Sequence, residues 1–141
     1  METGQNVENT GHVNQRCVLI VDDEPLNLKL FALTLMRHGY RVLQAADGFQ
    51  AFILAHDRCP DLIVMDVQLP EISGLEITRS LKNSTHTKDI PIVIATAFII
   101  DEEKLRASGC DGYMTKPYAI KDFIQLIESL IERNPQVVAT V

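Results

Sequence analysis

The sequence predicts an α/β fold, a doubly wound five-stranded parallel sheet with strand order 2-1-3-4-5 and helices on both faces. Short apolar runs rich in Val, Ile and Leu alternate with helix-like segments along the 141 residues. Such runs are typical of parallel strands that are buried on both faces. Right-handed crossovers leave few ways to connect five strand–helix units, and this strand order fits that number. Ligands bind such sheets at the carboxyl ends of the strands, here between strands one and three.

The individual elements follow from these runs and from the residues between them. The predicted strands are Cys17–Val21, Arg41–Ala45, Leu62–Met65, Ile92–Thr96 and Gly112–Met114. The predicted helices cover Pro25 to about His38, Gly48–Asp57, Gly74–Lys82, Asp101–Ser108 and Ile120–Arg133. Pro25 suits the first turn of a helix, which Asp23 or Glu24 can cap. Gly39 and Gly109 suit the left-handed position that follows a helix.

The domain organisation is simple. Residues 16–134 form one predicted domain, the polar residues 1–15 a disordered tail, and residues 135–141 a short C-terminal tail. Only eight residues follow Arg133. We therefore expect a stand-alone domain whose output is a contact with another protein.

Composition excludes several classes of function. The net charge of −6 and the lack of a Lys/Arg-rich block argue against binding to nucleic acid. Cys17, Cys59 and Cys110 are far apart and predicted to be reduced, small apolar residues. The chain starts without the apolar region of a signal peptide, and no apolar stretch is long enough to cross a bilayer. We expect a cytoplasmic protein with no membrane insertion.

Three carboxylates mark the predicted site. Asp22 and Asp23 follow the first strand, and Asp66 follows the third. Both strands end at the predicted crevice, so three negative charges that repel one another meet there. A hard cation that prefers oxygen ligands would neutralise them, which predicts Mg²⁺ as the cofactor.

A hydroxyl and an ammonium group complete this site. Thr96 ends the fourth strand and Lys116 follows the fifth, so both reach the same edge of the sheet. Attachment of a phosphoryl group to a carboxylate requires positioning and neutralisation of the phosphoryl oxygens. Asp66 is then the predicted nucleophile. The backbone carbonyl of Gln68 is a further candidate ligand for the metal.

Four segments resemble the receiver domains of response regulators, the CheY-like family, over about residues 17–133. The segments are VLIVDDEP, DLIVMDVQLPEISGLE, IVIATAF and GYMTKPY. The resemblance implies Asp66 as phosphoacceptor, Asp22 and Asp23 as metal ligands, Lys116 as the family's lysine, and Thr96 with Tyr113 as the switch pair.

The resemblance has further implications. It implies a histidine kinase or histidine phosphotransferase as phosphodonor, and a downstream protein target. It also implies that Gln68 and Phe98 influence self-dephosphorylation and that the Lys116–Pro117 bond is cis. The segment from Thr96 to Gly109 is about two residues shorter than is usual in the family. We therefore expect a shortened or shifted fourth helix.

The first helix carries apolar residues around nearly its whole circumference, whereas an ordinary surface helix has one apolar stripe. If Leu30, Phe31 and Leu35 face the sheet, Leu26 and Leu33 must be exposed. We interpret Leu26, Leu33, Pro117 and Tyr118 as a docking patch for a partner; the alternative is that the exposed apolar residues are scattered and without function. The expected assembly is a monomer or a weak phosphorylation-dependent dimer.

Other functions remain as alternatives. A phosphatase of the haloacid-dehalogenase type would need a second Asp two residues after Asp66, where Gln68 stands. A flavin carrier of similar fold would need a phosphate cradle after the first strand, and the acidic residues there would repel the phosphate. A receiver acting as a phosphorelay intermediate or phosphate sink is the closest alternative. We expect the protein to catalyse only its own phosphorylation and slow dephosphorylation.

Overall fold

The computed structural model describes residues 15–132. The predicted N-terminal tail apart from Gln15 lies outside this range, as do Arg133 and Asn134 of the predicted domain and the predicted C-terminal tail. The five strands are β1 (Cys17–Val21), β2 (Arg41–Ala45), β3 (Leu62–Met65), β4 (Ile92–Thr96) and β5 (Gly112–Thr115). The five helices are α1 (Pro25–Arg37), α2 (Gly48–Arg58), α3 (Gly74–Lys82), α4 (Glu102–Ser108) and α5 (Ile120–Glu132).

The sheet confirms the predicted fold class. Its strands lie in the order β2-β1-β3-β4-β5, and every neighbouring pair is parallel. β1 pairs with both β2 and β3, so the strand order reverses between β1 and β3. The residues after these two strands therefore face each other across the crevice where such sheets bind ligands.

Alternate strand residues fill two separate cores. Val18, Ile20 and Val64 point to the face covered by α1 and α5, where Leu35 and Phe123 are buried. Leu19, Ile63 and the other alternate residues point to the face covered by α2, α3 and α4. Each such apolar side chain stabilises the fold by about 1.5–3 kcal/mol. The two cores hold the strand ends in fixed positions and leave the loops at the carboxyl edge free for function.

The helix boundaries differ slightly from prediction. Glu24 occupies the N-cap of α1 without a side-chain capping bond; instead the carboxylate of Asp22 accepts the Glu24 N–H. α2 extends to Arg58 and ends at Cys59, which is left-handed with φ 47°. β5 is one residue longer than predicted, and α4 begins one residue later and has seven residues. α4 is therefore a short helix, close to its predicted bounds.

The orientation assumed for α1 differs from the structure at one residue. Leu30 does not face the sheet, because its side chain is 57% exposed. Leu35 and Ala32 form the buried face instead, with Phe31 packed at its border. Leu26, Leu30 and Leu33 follow a spacing of four and three residues and lie on the outer face, where all three are exposed.

The amino edge of the sheet is fastened around Lys82 at the end of α3. Its Nζ donates to the carbonyls of Ile90 (2.8 Å) and Lys88 (3.2 Å) and lies 2.7 Å from Oδ2 of Asp111. Asp111 also accepts the backbone N–H of Ile92 at 2.9 Å. One ammonium group thus joins α3 to the segments that open β4 and β5.

None of the helices within residues 15–132 has the length and apolar character needed to span a membrane.

Candidate active site

Backbone hydrogen bonds to neighbouring strands place the site residues. The N–H of Asp66 donates to the carbonyl of Val21 at 3.0 Å, and the N–H of Asp22 donates to that of Ala45 at 3.1 Å. On the other side of the crevice, the N–H of Lys116 donates to the carbonyl of Thr96 at 2.7 Å. Each residue is therefore an extension of the sheet, and its backbone is as fixed as the strand beside it.

Asp22, Asp23 and Asp66 converge as predicted. One carboxylate oxygen from each lies within 4.8 Å of the others. Asp22 is 1% exposed, the Asp66 side chain is 13% exposed, and Asp23 faces solvent. This set of hard oxygen donors, open to water on one side, fits Mg²⁺, which uses one or two protein carboxylates and keeps several waters.

Lys116 lies opposite the acids and bridges two of them. Its Nζ is 3.2 Å from Oδ2 of Asp22 and 4.0 Å from Oδ2 of Asp66. The same ammonium stands 5.6 Å from the centre of the Phe31 ring, within the range of a cation–π interaction. The Lys116–Pro117 bond is cis, as the family resemblance predicts.

The surroundings of Asp66 raise the pKa of its carboxyl above the ordinary value. Burial is the largest cause; the Lys116 ammonium opposes it, and the Asp22 carboxylate adds to it. Hydrogen bonds from the backbone N–H groups of Val67 and Gln68 act in the lowering direction. Asp66 is thus a carboxylate with reduced solvation, and added positive charge would favour its ionised form.

The β4–α4 loop is attached to the site by the predicted switch residues. Oγ1 of the buried Thr96 accepts the backbone N–H of Phe98 at 3.3 Å. The Tyr113 hydroxyl donates to the Phe98 carbonyl at 3.0 Å and accepts the Ile100 N–H at 3.3 Å. Thr96 and Tyr113 therefore share one loop segment, which presents Ile99 to solvent at 91% exposure.

One open cleft of about 510 Å³ is lined by the three acids, by Thr96 and by Lys116. Gln68 and Phe98, two residues after Asp66 and Thr96, also line it. The expected contribution of the Gln68 carbonyl to metal binding stays a prediction, since only its N–H has a resolved contact with Asp66.

The predicted docking residues fall into two groups. Pro117 and Tyr118 line an apolar cavity of about 310 Å³ between α1 and α5, and Leu30 lines it from α1. Leu26 and Leu33 lie on the outer face of α1 and do not line this cavity. Burial raises the pKa of Tyr118, and Asp22 and Asp66 add to that shift. Tyr118 is thus close enough to the acids to sense their charge.

Sequence analysis missed two residues of the site. Phe31 was assigned to the core, yet its ring lies under Lys116 and packs against Tyr118 and Phe123. Gly74 was predicted only as the first residue of α3, yet a Cβ there would stand 1.9 Å from the backbone oxygen of Asp66. The glycine allows α3 to begin directly behind the candidate nucleophile. A glycine opening a helix is the only sequence signal, and it does not predict this contact.

Fold and site together define a class of protein. Three acids, a buried hydroxyl and a lysine lie together at the carboxyl edge of a five-stranded parallel sheet, at the β1/β3 crevice. Residues 18–128 match the response regulator receiver domain family, and the chain belongs to this family. It is a receiver domain of two-component signalling.

The chain is also similar to one particular response regulator. The chain is 42% identical over 118 residues to the polar-differentiation response regulator DivK of Brucella anthropi, covering 82% of this chain and 96% of that protein. DivK of Brucella melitensis shows the same identity and coverage. Two segments already suggest this relationship in the sequence, LNLKLF at residues 26–31 and DVQLPEISGLEITRSLK at residues 66–82.

Solved structures show the same fold. Chemotaxis protein CheY4 of Vibrio cholerae is 28% identical with a TM-score of 0.77, covering 82% of this chain and 98% of that chain. The receiver domain of a sensor histidine kinase of Pseudomonas aeruginosa is 29% identical with a TM-score of 0.78, covering 84% and 98%. That receiver was crystallised with a magnesium ion coordinated in its active-site cleft.

Proposed function

We propose that this protein accepts a phosphoryl group on Asp66 from a histidine kinase or histidine phosphotransferase, in a Mg²⁺-dependent reaction. The observation that carries the proposal is the position of Lys116, whose ammonium lies within 4.0 Å of both Asp22 and Asp66. One cation thus stands between the acid that would hold metal and the acid that would react, where a phosphoryl oxygen would need it.

The reaction is a simple displacement. A carboxylate oxygen of Asp66 attacks phosphorus, the P–N bond to the donor imidazole breaks, and its electron pair stays on the imidazole nitrogen. Lys116 pairs with one phosphoryl oxygen, and the Thr96 hydroxyl donates to a second. Asp22, Asp23 and Asp66, with the Gln68 carbonyl, would hold Mg²⁺, which would help to neutralise the negative charge of the phosphoryl group.

The acceptor is tested with acetyl phosphate, a small donor that needs no partner. Wild type with Mg²⁺ should gain the mass of one phosphoryl group, and Asp66→Asn should gain none. Asp89→Asn, an exposed acid outside the cleft, is the matched control and should label like wild type. Undiminished labelling of Asp66→Asn contradicts the assignment.

The metal is tested in the same assay. Labelling should stop in EDTA, and the double variant Asp22→Ala/Asp23→Ala should bind Mg²⁺ more weakly and label more slowly. Both effects follow because the ion neutralises crowded carboxylates. Full labelling of this variant in EDTA would show that the acids do not serve a metal.

Residues in and beside the cleft support two further expectations, for the lifetime of the phosphoryl group and for the docking of the donor. Phe98 is apolar and 47% exposed, so it cannot orient an attacking water, and we expect the phosphoryl group to persist for minutes or longer. The surface of Leu26, Leu33, Pro117 and Tyr118 would receive the helix that carries the donor histidine. Leu26→Ala should slow transfer from a kinase and spare labelling by acetyl phosphate; equal impairment with both donors would remove the docking role. Loss of the phosphoryl group from wild type within a few seconds would refute the expected lifetime.

A DivK-like role is the output that similarity supports. We propose a cytoplasmic regulator, monomeric or weakly dimeric when phosphorylated, that changes its contact with a downstream protein in cell-cycle or polarity signalling. The alternative is a phosphorelay intermediate or phosphate sink. Pull-down with wild type and Asp66→Asn, read by mass spectrometry, distinguishes them: a target retained only by the phosphorylated form supports an output role.

A further inference from the structure

Two histidines from separate elements meet at the amino edge of the sheet, at the opposite end from Asp66. His56 lies in the last turn of α2, and His86 lies in the loop between α3 and β4. Their ring centres are 4.5 Å apart with an angle of 42° between the rings. Both residues are exposed, so their ring nitrogens are accessible to a solute.

The distance matches that of two imidazoles on one metal ion. An ion about 2.1 Å from one nitrogen of each ring, with an angle near that of a square or a tetrahedron, places the ring centres about 4.5–5.3 Å apart. Stacking alone also brings rings to this distance. A second feature is therefore needed to indicate a ligand.

That feature is the carboxylate beside His56. Oδ1 of Asp57 lies 3.4 Å from Nδ1 of His56. A carboxylate at one ring nitrogen holds the proton there and leaves the other nitrogen, Nε2, as the ligand atom, the arrangement usual for histidines that bind metal.

The backbone around His86 is held before any ion binds. The buried Thr87 hydroxyl donates to the Leu81 carbonyl at 2.6 Å. The backbone N–H of Lys88 donates to the Ser84 carbonyl at 2.8 Å, and Lys82 binds the Ile90 carbonyl. His56 is fixed by its helix. Ordering two ligands from different elements therefore costs little further entropy.

We propose that His56 and His86 form a chelating site for a transition-metal dication such as Zn²⁺, Ni²⁺ or Cu²⁺, with water completing its coordination. Imidazole suits these ions and not Mg²⁺, which prefers oxygen, so this site is chemically distinct from the acidic cleft. A bound ion would join the end of α2 to the α3–β4 loop and stabilise the folded state.

Zn²⁺ titration in excess Mg²⁺ tests the proposal, because Mg²⁺ occupies the acidic site and leaves imidazole free. Calorimetry should show one Zn²⁺ per chain and thermal unfolding at a higher temperature. His56→Ala and His86→Ala should each weaken binding at least about tenfold and abolish the thermal gain. Both side chains are exposed, so both variants should fold. The ring resonances of His56 and His86 should be the histidine signals that shift.

Two controls make the outcome decisive. His38→Ala removes an exposed histidine at the C-cap of α1 whose Nδ1 already contacts the Thr34 carbonyl, and this variant should bind Zn²⁺ like wild type. Asp66→Asn should also leave Zn²⁺ binding unchanged. Failure of the proposed histidine site can therefore be told apart from failure of the phosphorylation proposal. The proposal is overturned if Zn²⁺ does not bind, if binding survives in both histidine variants, or if it is lost in Asp66→Asn. A site that needs Cys59 and not His86 would overturn it as well.

Discussion

Gly74 offers the sharpest test of how the fold positions Asp66. A Cβ at residue 74 would stand 1.9 Å from the Asp66 carbonyl oxygen and 2.8 Å from its carbonyl carbon. Real Cβ contacts are essentially never shorter than 3.0 Å. In Gly74→Ala, the start of α3 and the end of β3 must therefore separate by at least 1.1 Å from the 1.9 Å contact.

The magnitudes decide the sign of the effect. Helix propensity alone favours alanine over glycine by about 1 kcal/mol. The opposing displacement acts on buried backbone, where overpacking costs about 1–3 kcal/mol or more. A shift of about 1 Å at a reacting group can cost about 100-fold in rate. We expect a net loss of unfolding free energy and, in the folded protein, labelling by acetyl phosphate that is slower by about 100-fold.

The assay pairs urea unfolding with labelling measured by mass. Gly112→Ala is the matched control, because its Cβ would meet only leucine side-chain carbons at 3.4–3.5 Å; it should retain most stability and the wild-type labelling rate. Wild-type stability and labelling in Gly74→Ala would refute the reasoning.

Three further outcomes are expected. Asp66→Asn should raise the unfolding free energy in EDTA. The pKa of Asp66 is raised in the folded protein, so wild type loses stability as pH rises from the unfolded pKa of 3.8 through the folded pKa. In urea titrations the stability gain of the variant should therefore be absent in acid and full at neutral pH; a less stable variant at neutral pH contradicts this. Phe31→Leu should remove a cation–π contact of about 0.5–2 kcal/mol, slow labelling severalfold and move the Lys116 side-chain NMR resonances, with Phe31→Tyr restoring both; unchanged resonances argue against the contact. Thr96→Ala should still be phosphorylated but should speed hydrogen exchange at the Phe98 amide, which loses an acceptor worth about 1 kcal/mol; unchanged exchange would show that the loop does not depend on Thr96.

The parts of the fold that sequence reasoning predicts are those with a strong local signal. β1, β3 and β4 are continuous apolar runs, and the structure has each at its predicted bounds. The convergence of Asp22, Asp23 and Asp66 also follows from sequence, because parallel strands deliver their carboxyl ends to one edge and the strand order fixes which ends meet.

The parts that sequence reasoning misses depend on contacts between distant segments. Periodicity shows that α1 is apolar all round, but it cannot choose which leucine faces the sheet, and Leu30 was placed on the wrong side. The contact of Phe31 with Lys116 and the approach of His86 to His56 join residues 85 and 30 positions apart in the chain. Such pairs arise from helix rotation and loop path, which tertiary packing decides.

Because of the contacts around Lys82, different kinds of contact hold the two ends of β4 and β5. β4 and β5 are held where they begin by a side chain of α3, through Asp111 and the Ile90 carbonyl. Where they end, the backbone bond from Lys116 to Thr96 joins them. Loss of the Lys82 ammonium would therefore act at the amino ends of β4 and β5, and it would leave the backbone bond between Lys116 and Thr96 beside the cleft in place.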